Sequence, residues 1–396
     1  MVEQLRIVVG GFLGLLPVGG VTWDYVQYPV GLATLGHDVY YIEDTQLWPI
    51  YQTDNHGGAD CSANIAHLAA VMDAFDLSER WAYRDQVSGQ CFGLPDTVVS
   101  ELCRTADILI NISCATSLRD EYCAIPVRVL VDSDPMFTQI QYASQVTLSK
   151  GSSGMRELVA GHTHHFTFGE NIAATDCRIP TCGFSWRPTR QPICLRYWPM
   201  TTLPKVAEAA YTTLMNWTAA PPLVYDGETW GQKDVEFRRL LALPQAVSSI
   251  PLAVAVGQTT GTPFPTAEAC RQGWRILDPA LCASDWRTYR TFIQDSRGEF
   301  SVAKETYVKA RTGWFSCRSA CYLASGHPVV TQDTGWSRYL PSQEGLLAFH
   351  DFDSAAEALA CVAAEPDKHS RAARAIAEEY FDSERVLSQM LTQLGA

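Results

Sequence analysis

TGWFSCRSACYLASGHPVVTQDTG, residues 312–335, reads as a turn, a short helix, a glycine stop, a buried strand and a polar loop. Gly313 precedes the helix, Ser316 and Arg318 stand in its first turn, and Gly326 ends it. The strand begins within His327-Pro328-Val329-Val330-Thr331, a short apolar run after a turn. A helix N-terminus leaves N–H groups unpaired and carries partial positive charge, which suits a phosphate. The loop Thr331–Gly335 opens at the carboxyl end of the strand, where ligands bind in open α/β sheets. The bland alternative is a structural αβ unit with a tight Gly-x-Pro turn.

The same alternation runs outward through the chain. Residues 5–10, LRIVVG, form an apolar run ending in glycine, as a buried parallel strand does. A glycine-rich loop follows, then a helix over 22–35 and a second strand over 37–43 that ends in Glu43 and Asp44. The glycines do not match a dinucleotide fingerprint. Further strands are expected at 107–112, 127–132 and 164–168, with helices at 60–75, 95–105 and 137–147. A Pro-, Trp- and Arg-rich stretch, 180–205, marks a crossover. A second series then begins: strands at 211–215, 251–256 and 273–277, helices near 232–243 and 285–293, and a helical tail over 367–394. Strands alternating with helices predict doubly wound sheets.

Composition limits the function classes. The chain has 396 residues, about two or three domains' worth. Its net charge is −13, which argues against a long nucleic-acid backbone as partner. The 13 cysteines are scattered without zinc-site spacing. Cys317 and Cys321, four apart on one helix, read as core thiols. No apolar run approaches the ~20 residues of a membrane span, and no leader precedes the first strand. The expectation is a cytoplasmic protein with no integral membrane segment.

The block at 312–335 resembles the nucleotide-sugar half of GT-B glycosyltransferases, where a small residue, Gly, any residue and Pro-Val-Val follow a donor-binding helix. The N-terminal Gly-rich loop and Leu35-Gly36-His37-Asp38-Val39 are similar to the first βαβ unit of many such enzymes. The resemblance implies an α/β fold of two Rossmann-like domains facing a central cleft, with a long C-terminal helical tail. It divides the chain into an acceptor-side domain, 1–200, a donor domain, 201–375, and a last helix, 376–396, packing back on the first domain. It implies a glycosyltransferase of hexosyltransferase type, moving a sugar from a UDP- or dTDP-type donor to a hydroxyl on a small molecule or glycan. No tightly bound cofactor, no metal and no nucleic acid are expected. A nucleotide-sugar epimerase of this fold and an inactive donor-binding subunit are the alternatives. One large retaining class carries two glutamates about eight apart here; aligned on Gly326-x-Pro328, this chain has Gly313 and Cys321 instead.

Transfer from a diphosphate builds charge on the leaving group, which cations and helix N–H groups stabilise. Lys304, Lys309, Arg311 and Arg318 gather around Ser316 in an otherwise acidic chain; a solvated basic face is the plain alternative. Donor-side candidates are Lys233, Lys309, Thr312, Gly313, Trp314, Phe315, Ser316, Arg318, Gln332, Asp333 and Thr334. For Asp333, capping of the next turn is the structural alternative. On the acceptor side stand Gly19, Gly20, Trp23 and Asp132. Base candidates are Asp134, Asp24 and, within the His162, His164, His165 cluster, His164. Asp132-Ser133-Asp134 is formally an Asp-x-Asp metal signature of the GT-A fold, a pattern common by chance. Glu170-Asn171 follows the histidine strand.

Overall fold

The computed structural model describes residues 4–49, 58, 60–144, 154–204, 209–257 and 260–395. The chain forms two compact units. The first comprises Met1–Phe168, Pro180–Cys194 and Ser383–Ala396; the second comprises Gly169–Ile179 and Leu195–Asp382.

The first unit is built on an eight-stranded sheet. Its strands are β1 Arg6–Gly10, β2 Asp38–Glu43, β3 Trp81–Arg84, β4 Cys91–Gly93, β5 Ile108–Ile112, β6 Val127–Asp132, β7 His164–Thr167 and β8 Trp186–Pro188. They lie in the order β4-β3-β2-β1-β5-β6-β7-β8. Only the β3–β4 pair is antiparallel. Apolar runs make the central strands: β1 and β5 are buried almost throughout because helices cover both faces. The first helix is Gly19–Thr34, so it starts three residues before the expected position. Its glycine pair forms the opening turn, after Val18 in extended conformation. Gly31 of this helix faces the last helix, Ser383–Leu394, where a Cβ would stand 2.6 Å from Leu387 Cδ1.

The second unit holds a six-stranded parallel sheet and a hairpin. Its strands are β9 Tyr211–Met215, the hairpin β10 Leu223–Tyr225 and β11 Glu228–Trp230, β12 Leu252–Val256, β13 Arg275–Leu277, β14 Gly298–Ser301, β15 Val329–Gln332 and β16 Leu346–Phe349. The sheet order is β13-β12-β9-β14-β15-β16. Its core packs Trp217, Phe237, Trp274, Phe300 and Phe349 against β9 and β12. The expected helix near 232–243 is two short pieces, Lys233–Arg238 and Leu243–Ala246. The tail is likewise two helices, Pro366–Tyr380 and Ser383–Leu394, and the two fall in different units. The helix expected over 137–147 is described over Phe137–Ala143; residues 145–147 lie outside the described residues.

Candidate functional site

In each unit the chain order reverses at one place in the sheet. From β9 it runs to β12 and β13 on one side; β14, β15 and β16 follow on the other. The crevice beyond the carboxyl ends of β9 and β14 is therefore the expected ligand position in the second unit. Three loops meet there. Gln332, at the end of β15, accepts from Ala303 N (3.2 Å) and donates to Glu236 Oε2 (2.6 Å). That ties the segments after β11, β14 and β15 together. Gly313 N donates to Thr334 O (2.8 Å), and Thr334 Oγ1 donates to Trp314 O (2.7 Å). Helix Cys317–Ala324 starts from this lacing, and its N-cap, Ser316, makes no side-chain cap. Ser319 Oγ, inside the first turn, is buried without a hydrogen-bond partner. Lys233 opens helix Lys233–Arg238 and is almost buried.

The structure brings Lys233, Thr312, Gly313, Trp314, Ser316, Gln332 and Thr334 to loops of this one sheet edge. Other donor candidates are committed elsewhere. Arg318 turns its guanidinium inward, with Nε on Glu299 Oε1 (2.5 Å), Nη2 on Ser301 Oγ (2.7 Å) and Nη1 on Leu214 O. Burial opposes its charge, but Glu299 beside it outweighs burial and holds its pKa above the ordinary value. Lys309 donates to Thr229 O (2.8 Å), pairs with Glu228 (2.9 Å) and lies over the Trp230 ring, so it braces the hairpin. Asp333 accepts from Gly335 N (2.9 Å) and from Ser337 N and Oγ, which caps the turn at Trp336–Arg338. Phe315 stacks on Phe381 in the core, whereas Trp314, at the sheet edge, stacks on Tyr307 at 4.5 Å. Cys321 is fully buried in its helix.

In the first unit the reversal lies between β1 and β5. The glycine-rich loop after β1 turns three of its amides inward to buried side chains. Glu43 accepts from Gly14 N (2.8 Å), Leu15 N (2.6 Å) and Tyr41 OH (2.8 Å), and Tyr41 OH accepts from Leu13 N (3.0 Å). Burial pushes the Glu43 pKa up to about 7, although the N–H and O–H donors pull it down. A carboxyl whose folded pKa exceeds its unfolded value stabilises the fold below the unfolded value, and that share is lost as pH rises through about 7. Glu43→Gln should therefore flatten the fall in melting temperature between pH 5 and 8. Parallel pH profiles for both proteins would count against the assignment.

Asp24 is exposed on the first helix, and Asp134 is half-buried in the turn after β6. Burial raises the Tyr25 pKa well above its ordinary value, and the charges of Asp24 and Asp134 add to this. Both carboxylates thus act on one hydroxyl. Tyr25 OH donates to Ser113 Oγ (3.0 Å), which meets Ser133 Oγ at 2.5 Å. Asp132 is spent on structure: Thr138 Oγ1, Gln139 Nε2 and Thr167 Oγ1 donate to it at 2.7–2.9 Å. Trp23 is core, edge-on to Phe75. Gly19 and Gly20 form the opening turn of the first helix. His164 pairs with Val129 at the start of β7, whereas Thr167 at its end pairs with Asp132. His164 therefore stands at the strand's opposite end from Asp134. His162 is buried, and burial lowers its pKa to about 3. Among the described residues, no group of three or more His, Cys, Asp or Glu side chains is placed to hold a metal ion. No helix there is long and apolar enough to cross a membrane.

No family model matches the sequence, and no curated protein matches it. Solved structures do. An alpha-glucosyltransferase in complex with UDP and a 13-mer DNA superposes with a TM-score of 0.59 at 13% identity, over 100% of both chains. Anabaena Alr3699/HepE in complex with UDP and glucose gives 0.56 at 10% identity, over 99% of this chain and 100% of that one. AviGT4, a glycosyltransferase involved in avilamycin A biosynthesis, gives 0.53 at 10% identity, over 98% and 97%. The chain has the GT-B fold. The DNA complex corrects the expectation that nucleic acid has no part here. Net charge is a sum over the whole molecule, whereas an acceptor meets only local surface. An acidic total therefore does not remove nucleic acid from the acceptor classes.

Proposed function

We propose that this protein is a glycosyltransferase that moves a sugar from a nucleotide-diphosphate donor, of UDP type, to an acceptor hydroxyl. The observation that carries this reading is the convergence of the segments after β11, β14 and β15 around a helix N-terminus without a side-chain cap. The N-terminus of helix Cys317–Ala324, with its partial positive charge, and the Lys233 ammonium supply positive potential for the departing diphosphate. No metal ion is needed for that role. In the first unit, Asp134 or Asp24 accepts the proton of the acceptor hydroxyl. Two of the structural neighbours were solved with UDP, which supports the choice of base. Acceptor classes include small molecules, glycans and, because one neighbour of this fold was solved on DNA, nucleic acid.

The test is thermal stabilisation by UDP, GDP, ADP and dTDP, with and without EDTA. UDP at a hundredfold excess over Kd should stabilise by about 2.7 kcal/mol, and EDTA should leave that unchanged. Stabilisation abolished by EDTA would return a metal ion to the diphosphate. No response to any nucleotide would sink the donor site. UDP binding without turnover of any UDP-sugar would make the chain a donor-binding subunit, the reading that the absent glutamate pair keeps in play.

A further inference from the structure

The donor-side loops are fastened by a segment that belongs to neither of them. Residues Gly169–Ile179 leave the first unit's sheet after β7 and belong to the second unit. Asn171 lies fully buried against both loops. Its backbone N–H donates to Thr312 O (3.1 Å), and its side-chain Nδ2 donates to Arg311 O (2.9 Å). Two glycines make room for it. A Cβ on Gly313 would stand 2.7 Å from Asn171 N, and one on Gly335 would stand 2.0 Å from Asn171 Nδ2. Both glycines have positive φ, +77° and +100°. Five residues further on, the Asp176 carboxylate accepts from Arg311 Nε (2.7 Å) and from both terminal nitrogens of Arg338 (2.7 and 2.6 Å). Arg311 opens the first donor-side loop, and Arg338 closes the second. Arg178 N donates to Ala310 O (2.9 Å) and closes the seam.

We infer that Asn171 and Asp176 form a clamp that sets the spacing of the loops 311–316 and 333–338, and so act as positioning residues for the nucleotide sugar. The inference rests on the donor reading proposed above for the way it would show in function. The geometry fits positioning and not ligand contact. Asn171 is sealed from solvent; its backbone N–H and one side-chain N–H are spent on loop carbonyls, and its Oδ1 is buried without a hydrogen-bond partner. Each loop is braced within itself, the second by Asp333 on Gly335 and Ser337, and the two are joined directly by the Gly313–Thr334–Trp314 lacing. Their separation is also set by what fills the gap between Gly313 and Gly335, and that is Asn171.

The test uses the full chain and four variants: Asn171→Ala, Asn171→Asp, Asp176→Asn and Val254→Ala. The last is a core truncation in β12 that destabilises the second unit without touching the clamp. Hydrogen exchange and UDP affinity are both measured. Exchange in 311–316 and 333–338 should accelerate at least about tenfold in the three clamp variants, with β12 and β13 unchanged. UDP affinity should fall about tenfold in them and hold in Val254→Ala, even where the loss of melting temperature is the same. Asp176→Asn keeps the test open if the buried substitutions fail to fold, because its carboxylate lies at the surface. Unchanged loop exchange would overturn the clamp. Equal loss of UDP affinity in Val254→Ala would also overturn it, since it would reduce Asn171 to a general stabiliser. A wild-type protein that binds no UDP would overturn the donor reading instead, and the exchange result would then judge the clamp alone.

Discussion

Arg318→Ala should destabilise the second unit by about 3–5 kcal/mol, the cost of leaving a buried charge without its partner. Glu299 has no exposed side-chain surface, and one of its oxygens already lacks a hydrogen-bond partner. Removing the guanidinium would strand the other. It would also release Leu214 O and Ser301 Oγ at the ends of β9 and β14. Arg318→Lys keeps the charge but loses the three-way fork, so it should fall between wild type and alanine. Replacing both partners, Arg318→Met with Glu299→Gln, should cost less than the sum of the single changes, because no buried charge then remains. Denaturant unfolding of wild type, Arg318→Met, Glu299→Gln and the double variant completes the cycle, with Arg318→Ala and Arg318→Lys measured beside them. A loss below about 1 kcal/mol for Arg318→Ala would mean that the pair is not structural. The guanidinium would then be open to the diphosphate contact that its place in the helix first suggested.

That reversal shows what kind of information the sequence carries. Several central strands were readable as short runs rich in apolar and β-branched residues: β6 and β9 fall at the expected residues. The helix and strand in 312–335 were readable from the glycine stop and Pro328. β14 was not. Its sequence, Gly298-Glu299-Phe300-Ser301, holds a glycine and a carboxylate, both unfavourable in an isolated strand. Glu299 is explained only by Arg318, nineteen residues on. Gly298 is explained by the packing of Tyr211 and the Pro328 carbonyl, which stand within 2.7 Å of where a Cβ would be. The strands β4 and β8 have three residues each, too short for any alternation to register, whereas β13 lies within the strand expected at 273–277.

The site divides along the same line. Local spacing placed Ser316, Gln332 and Thr334 on loops at one sheet edge, because helix starts and strand ends are local features. It did not tell which way a long side chain turns. Lys309 and Arg318 have stems that reach several ångströms in any direction, and each found a carboxylate inside its own unit. Asn171 was legible only as a polar residue after the histidine strand, not as a brace between loops. Its side chain bonds to a carbonyl 140 residues away, and it gains importance only when the chain has closed. The one local sign was indirect: two glycines, Gly313 and Gly335, each followed by tryptophan, at positions that a helix or strand does not require.

Those glycines give the second large expected effect. Gly335→Ala should cost about 2–5 kcal/mol, combining roughly 1–2 kcal/mol for an L-residue at positive φ with about 1–3 kcal/mol for overpacking. The conformational part can be measured separately. Gly36 has a similar positive φ, +92°, but no atom stands within 4 Å of where its Cβ would be. Gly36→Ala should therefore show the backbone cost alone, and the excess at Gly335 is the clash with Asn171 Nδ2. Adding Asn171→Gly to Gly335→Ala should recover part of that excess by vacating the space, although it forfeits the bond to Arg311 O. A positive coupling in this cycle would place Asn171 and Gly335 in direct contact. If Gly335→Ala costs no more than Gly36→Ala, the loop after β15 yields easily. A loop that yields cannot hold a sugar diphosphate at a fixed distance from helix Cys317–Ala324, and the donor-side geometry would then have to form on binding.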